Sequence, residues 1–373
     1  MAKYRIGWMP GDGVGIDVMD ATRIVLDKLG FDAEYVPGDI GWELWRTEAN
    51  PLPDRTIAML QGVEAALFGA ITSKPKEEAE QELVDELRGK GHVYRSPIVR
   101  LRQEFNLKTN LRPCKAYAGN PLNFRDDLDL VVFRQNTEGL YMGVEYHPIP
   151  QDLRDRFSAS HSAQMSRIAD TTNDDIAVSC RIFTRNGCQD IVRDAFEYAQ
   201  KFGYKSVTVV EKPNVIRETS GLMVREARKI ARDFPSIDLW ETNIDAMCMW
   251  LVKNPQDYGV LVASNMFGDI VSDLCAQLVG GLGFACSGNI GDDVGIFEPS
   301  HGSAPKYVGM NKVNPIAMIL SAKMMLDYLG EKDKAKRLDD AVAAVIAEGK
   351  VRTYDMGGKA TTTQMAEAIA AKC

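Results

Sequence analysis

Tyr4-Arg5-Ile6-Gly7-Trp8-Met9-Pro10-Gly11-Asp12-Gly13-Val14-Gly15 opens with an apolar run, turns on glycines and leads into a helical period over Ile16–Leu29. A strand that turns directly into a helix is the first unit of an α/β fold. The glycines decide which α/β fold is expected. A dinucleotide fingerprint needs the spacing G-x-G-x-x-G and an acid roughly 20 positions further on. Here the third glycine arrives one residue early, although Glu34 stands near the acid position. The simpler reading is a tight strand-to-helix turn that only glycine permits. The expectation is therefore an α/β chain that is not a Rossmann fold.

Outward from that turn the same rhythm recurs. Apolar runs at Ala65–Ala70, Leu128–Phe133, Ser206–Val210 and Val260–Ala263 read as strands. Helical periods fall at 54–61, 97–107, 187–202, 218–233, 244–253, 268–279, 314–329, 333–348 and 361–371. Alternation of this kind predicts a largely parallel sheet covered by helices. The segment 145–180, rich in His, Ser, Asp and Arg, breaks the rhythm and reads as an insertion or as an arm that meets another subunit.

With 373 residues, 45% of them hydrophobic, the chain can bury a large core, and its length suggests two domains or one large α/β unit. A formal charge of −8 argues against nonspecific binding to nucleic acid or to anionic membranes. No run of about 18 apolar residues is present. The first residues enter a strand pattern without an apolar signal region, and the seven cysteines show no CxxC pair and no zinc spacing. Reduced, buried thiols in the cytoplasm are expected.

Positive charge is concentrated where an anionic substrate would need it. Arg95-Ser96-Pro97-Ile98-Val99-Arg100-Leu101-Arg102 leads to Asn110-Leu111-Arg112-Pro113, with Ser96 and Pro97 as N-cap and first residue of a helix. Arg134 ends the strand Asp129–Phe133, and strand ends are where α/β proteins bind ligands. Guanidinium forks hold carboxylates at two points. Asp269 and Asp273 stand at i and i+4 on one helix face, a repulsive pair that calls for solvent or a cation; carboxylate ligation suits Mg²⁺ or Mn²⁺. Asp245 on another helix is a candidate third ligand. Lys212, at the end of Ser206–Val210, is either a general base or a surface lysine. Tyr141 either donates a proton or packs. Phe297-Glu298-Pro299-Ser300-His301-Gly302-Ser303-Ala304-Pro305-Lys306-Tyr307 is a small-residue loop that lets backbone approach phosphate.

Taken together, LRQEFNLKTNLRP, FRQNTEGLYMGVEY, SNMFGDIVSDL, LVGGLG and FEPSHGSAPKYVGMNKVNP resemble the β-decarboxylating dehydrogenases of isocitrate, homoisocitrate and isopropylmalate over nearly the whole chain. The resemblance implies a large mixed sheet flanked by helices, with two domains and a cleft between them. Residues 1–107 and 280–373 would form the large, cofactor-binding domain and 108–279 the small one. Arg102, Arg112 and Arg134 would bind substrate carboxylates, and Asp269 and Asp273 a metal. Asp245, Lys212 and Asn214 would reach across from the neighbouring subunit of a homodimer (a tetramer is also compatible). Tyr141 would protonate the product carbon. Glu298, His301, Gly302, Ser303, Ala304 and Asn314 would receive the cofactor.

The segment Asn136–Tyr141 is similar to the isocitrate and homoisocitrate branch, and Ser96 matches the serine that meets isocitrate's third carboxylate. Ile98 replaces the usual asparagine and suits an apolar group together with Val99, which stands where homoisocitrate enzymes carry an arginine. Arg100 is an extra charge that would serve a longer acid. Isocitrate leads, followed by homoisocitrate and isopropylmalate. Lys306, Tyr307 and Tyr354 match the residues with which NADP enzymes grip the 2′-phosphate, whereas Gly358 replaces an expected arginine; NADP is favoured and NAD remains open. Glu211 and Pro213 are unusual neighbours of Lys212. A non-catalytic subunit of a hetero-oligomeric isocitrate dehydrogenase is the alternative outside catalysis, although this chain keeps the catalytic positions that such subunits lose.

Overall fold

A computed structural model describes residues 2–373. In chain order the strands are β1 (Tyr4–Gly11), β2 (Ala33–Pro37), β3 (Ala65–Ala70), β4 (Thr109–Lys115), β5 (Asp129–Gln135) and β6 (Glu145–Tyr146). They continue as β7 (Val178–Ser179), β8 (Ser206–Glu211), β9 (Asp238–Asn243), β10 (Val260–Ala263), β11 (Cys286–Ile290) and β12 (Gly295–Pro299). Ten of them form one sheet in the order β2-β1-β3-β12-β11-β4-β5-β10-β8-β9, and β6 pairs with β7 in a separate ribbon.

The sheet is mixed. Both outer portions are parallel, whereas β12-β11-β4-β5 run antiparallel to one another in the middle. β3 and β8 were legible because they are covered on both faces and buried at every position, whereas the edge strands β2 and β9 are partly exposed and show no apolar run. The central β4 and β11 carry Asn110, Arg112 and Asn289 on one face, which removes the apolar signature of a buried strand. That polar face is what positions the site.

Packing gathers on either side of these central strands. One cluster joins Ile6, Val25, Phe297, Met325 and Ile369, and another joins Met9, Phe68, Leu101 and Ile296. Two more, around Val131, Phe196 and Val262 and around Val132, Leu251 and Val271, lie towards β9. The 145–180 segment supplies the β6–β7 ribbon and a helix, Gln151–Ser160, with no buried residue. No helix among the described residues is long and apolar enough to cross a membrane. All seven cysteines are free, but Cys180, Cys248 and Cys373 are only half-buried, against the expectation that all would be enclosed.

The glycine turn has a steric reason. Gly13 adopts φ 60°, and a Cβ there would lie 2.2 Å from the carbonyl oxygen of Ser303. The Val14 amide donates to that same oxygen at 2.9 Å. The turn thus seats against the 300–307 loop, while Glu34 lies on exposed β2 and pairs with Arg5 at 3.5 Å.

Candidate active site

Register lines up the polar face of the central strands. Asn289 of β11 pairs with Asn110 of β4, which pairs with Arg134 of β5. Above this row the helix Asn265–Leu278 crosses closely, because position 268 is glycine: a Cβ there would meet the Arg134 side chain at 2.7 Å. The helix Pro97–Glu104 brings Arg102 from the other side.

The three arginines converge in one cavity of about 280 Å³, walled also by Ser96, Ile98, Val99, Tyr141, Asp269, Ser287, Glu298, His301 and Gly302. Their exposures are 6% for Arg102, 8% for Arg112 and 1% for Arg134. Each is held by a polar neighbour that leaves guanidinium edges for a ligand. Arg102 donates from Nε to Asn289 Oδ1 at 3.1 Å. Arg112 donates to Asn110 Oδ1 at 2.7 Å and to Ser272 Oγ at 2.7 Å. Arg134 donates to Asn265 Oδ1 from both Nε, at 3.0 Å, and Nη2, at 2.8 Å, and pairs with Asp269. Burial lowers the pKa of Arg134, and the neighbouring Arg102 and Arg112 lower it further. Such a cluster is short of negative charge.

The acids face the same group. Arg112 Nη1 lies 3.3 Å from Asp269 and 3.2 Å from Asp273, so a guanidinium supplies the cation that their spacing called for. Burial would raise Asp269, yet Arg134 and Arg112 hold it below its ordinary value; at Asp273 burial outweighs Arg112 and the pKa rises. Tyr141, in the turn Leu140–Met142, donates to Asp269 Oδ2 at 3.0 Å. Burial and the adjacent carboxylate push its phenol up, so it keeps its proton.

Lys212, Asn214 and Asp245 do not wall this cavity. The Lys212 ammonium pairs with Asp245, and Asn214 is exposed. Among the described residues, no group of three or more His, Cys, Asp or Glu side chains is placed to hold a metal ion.

A second cleft of about 560 Å³ adjoins the first at His301 and Gly302. Its walls include Val14, Gly280–Gly283, Ala304, Tyr307, Asn314 and Tyr354. Ser303 is buried and hydrogen-bonds to Thr72 at 2.6 Å, and Glu298 faces the arginine cavity instead. At the cleft mouth Tyr354 donates to Tyr307 at 3.1 Å, with Lys306 over the Tyr307 ring and Lys312 over that of Tyr354. The bond from Tyr354 lowers the Tyr307 pKa, and Lys306 lowers it further.

Several expectations change in detail. Ser96 begins its helix as anticipated, but its hydroxyl makes no capping bond and borders the cavity. Arg100 points elsewhere, donating to Leu52 O at 2.7 Å and Asp54 at 3.1 Å. Gly358 cannot be an arginine, since a Cβ there would sit 2.0 Å from Arg352 O. The Asn136–Tyr141 motif has structural work of its own. Asn136 donates to Leu107 O and to Asn289, while Glu138 accepts from the Thr184 amide at the start of the helix Arg185–Phe202. Sequence reasoning does not single out Ser272, Asn110, Asn289 or Lys312, nor the hold of Asn265 on Arg134. The only signal for the asparagines was a polar residue interrupting an otherwise strand-like or helical run.

The sequence family described as isocitrate/isopropylmalate dehydrogenase matches residues 5–369. Protein DlpA of Legionella pneumophila is 40% identical over 371 residues; the match covers 99% of this chain but only 58% of that longer protein. A 3-isopropylmalate dehydrogenase of Methanothermobacter thermautotrophicus is 38% identical, with 99% of this chain and 98% of the relative covered. The crystal structure of an isocitrate dehydrogenase from Methylococcus capsulatus superimposes with a TM-score of 0.85 at 36% identity, covering 99% of both chains. With this match across the chain and this arrangement of arginines and acids, the chain belongs to the isocitrate/isopropylmalate dehydrogenase family, whose members are NAD(P)-dependent decarboxylating dehydrogenases acting on CH–OH groups.

Proposed function

We propose that this chain oxidises isocitrate and decarboxylates it to 2-oxoglutarate with NADP, as a homodimer with shared sites. The observation that carries the reading is the convergence of Arg102, Arg112 and Arg134 with Asp269 and Tyr141 in a cavity that opens into a second cleft at His301–Gly302. Three buried guanidinium groups suit a substrate with several carboxylates. The Ser96 hydroxyl, free of capping duty, stands at a helix N-terminus where a further carboxylate is favoured.

The acids fit a divalent metal by chemistry and direction. Asp269 and Asp273 offer hard oxygen donors and converge on one point, that now taken by Arg112 Nη1. When bound there, Mg²⁺ or Mn²⁺ supplies the positive charge that acidifies the 2-hydroxyl and stabilises the enolate left by CO₂ loss. The adjoining cleft, walled by His301, Gly302, Ala304, Tyr307, Asn314 and Tyr354, would hold NADP, which would supply the hydride acceptor. The arginines hold the carboxylates, and Tyr141, kept protonated, delivers its proton to the product carbon. Lys212 of a second copy, as the neutral amine, takes the hydroxyl proton, and Asp245 of that copy would be the third carboxylate to hold the metal. The second copy is supported by exposed apolar Met249, Val252 and Ile270 on the two helices that bear Asp245 and Asp269. The division into domains 1–107 with 280–373 and 108–279 is supported by how the core clusters sort.

Isopropylmalate is the second reading, favoured by the apolar Ile98 and Val99 in the cavity wall. The test is one assay matrix: isocitrate, homoisocitrate and isopropylmalate, each with NAD and NADP, before and after chelation and with Mn²⁺ restored. Isocitrate with NADP should give the highest kcat/KM, and chelation should abolish it. Preference for isopropylmalate, or full turnover in excess chelator, would overturn the reading.

A further inference from the structure

The reading above leaves a buried carboxyl side chain beside Lys212 without a role. Glu211 precedes Lys212 at the end of β8 and is 1% exposed. Both its oxygens are engaged: Oε1 accepts from the Ser264 amide at 2.9 Å, and Oε2 accepts from Ser220 Oγ at 2.5 Å and from Arg181 Nη2 at 3.0 Å.

Arg181 comes directly out of the 145–180 segment. Its guanidinium also donates to Ser264 Oγ at 2.7 Å, Ser220 Oγ at 2.9 Å and Thr219 Oγ1 at 3.1 Å. It lies over the rings of Phe183 and Phe267, 4.5 and 4.7 Å from their centroids. Ser220 is the node. It donates to Glu211 and accepts from Arg181 and from the Lys212 amide at 3.3 Å, which uses a hydroxyl's whole capacity of one donor and two lone pairs.

From this geometry we infer that Glu211 and Arg181 form a positioning pair for Lys212. They seat the root of the 145–180 segment on the strand ends that present Lys212 and the helix that bears Asp269 and Asp273. Ser264 is the residue before that helix, so one ion pair braces both elements. Pro213 adds to the constraint, because the residue before a proline is held to extended backbone, which sets the direction in which the Lys212 side chain leaves. The two unusual neighbours of the lysine thus share one task. An apolar pair of similar volume would fill the same space without these directed bonds, and the direction is what a proton-transferring group needs.

The inference rests on the reading in which Lys212 serves turnover. Its test is a double-mutant cycle on the full-length enzyme, comparing Glu211→Gln, Lys212→Ala and the double variant, with kcat and both KM values measured separately. Glu211→Gln should lower kcat on the order of tenfold to a hundredfold, the scale of a misplaced catalytic group, while KM for the hydroxy acid and for the cofactor changes little. In the Lys212→Ala background the same change should have no further effect on kcat. Additive losses, or a rise in KM alone, would show that Glu211 only supports the fold and would overturn the inference. If Glu211→Gln does not fold, Arg181→Lys keeps the cation, loses the planar fork and is put through the same cycle. Wild-type turnover in Lys212→Ala would instead sink the reading of the lysine, and the inference with it.

Discussion

Replacing Arg134 with methionine separates substrate binding from folding. The guanidinium is 1% exposed, is held by Asn265 through Nε and Nη2, and pairs with Asp269 through Nη1. Methionine fills much of the same volume and donates nothing. If a carboxylate of the substrate takes two charge-assisted bonds from this group, at about 1.5–3 kcal/mol each, their loss removes about 3–6 kcal/mol. That amounts to a fall of about 10²- to 10⁴-fold in kcat/KM. The folding side is smaller. The buried Asn265 oxygen loses both donors, a cost of about 1–3 kcal/mol. Asp269 keeps Tyr141 at 3.0 Å and Arg112 at 3.3 Å, and one of three mutually repelling cations disappears. Net destabilisation should therefore stay below about 2 kcal/mol, within the ordinary range for a single substitution. The assay is steady-state kinetics beside urea unfolding of the same preparations, with substrate-induced stabilisation measured on both. A folded variant that loses less than tenfold in kcat/KM would refute the reasoning, and so would a variant that still gains stability from substrate as the wild type does.

Three further outcomes are expected. Mixing Lys212→Ala with Asp269→Asn, each left with only residual turnover, under subunit exchange should raise activity well above the sum of the two, since hybrid dimers contain one intact site; hybrids that form without such a rise would exclude a shared site. Lys306→Asp with Tyr307→Ile should lower kcat/KM for NADP by at least about ten- to a hundredfold, through loss of a charge-assisted bond and repulsion of the 2′-phosphate, and leave NAD unchanged or improved. A wild type that prefers NAD tenfold would refute that reading. Asp339 gives a pH test away from the site. Burial would raise its pKa, but the Tyr117 hydroxyl at 2.5 Å and the Lys115 ammonium at 2.9 Å hold it below its ordinary value. Its contribution is therefore complete above the unfolded value and is lost as pH falls through the folded one. Asp339→Asn should cost stability at pH 7, and the gap to wild type should narrow steadily below about pH 4 in urea titrations; a gap that does not change with pH would count against the assignment.

What could be read in advance follows from where chemistry leaves a periodic trace. Strands β1, β3, β5, β8 and β10 are apolar runs because helices cover both their faces, and the helices of the outer layers show their own period. Arg134 at its strand end and the Asp269/Asp273 pair stood out by residue type and spacing, whereas Tyr141 and the 300–307 loop gained their roles from the family resemblance. The Gly11–Gly15 turn could be set aside as a fingerprint from its spacing alone, and its steric reason, the carbonyl of Ser303, lies about 290 residues away in the chain, beyond any local pattern.

The sequence by itself determined the alternation of strand and helix, the excess of acid over base, and where arginines and acids gather along the chain. Only the tertiary structure decided that β11 and β4 enter the middle of the sheet antiparallel, because strand pairing follows from contacts between distant segments that no window of sequence contains. That pairing sets Asn289, Asn110 and Arg134 in one row, and Asn289 in turn holds Arg102. It also decided that Arg100 turns away to Asp54 while Arg102, two residues on, turns inward, since one helix presents opposite faces to solvent and cavity. The partnership of Glu211 with Arg181 belongs to the same class. Thirty residues separate them, and only the fold brings a carboxylate and a guanidinium together out of water, where each requires the other.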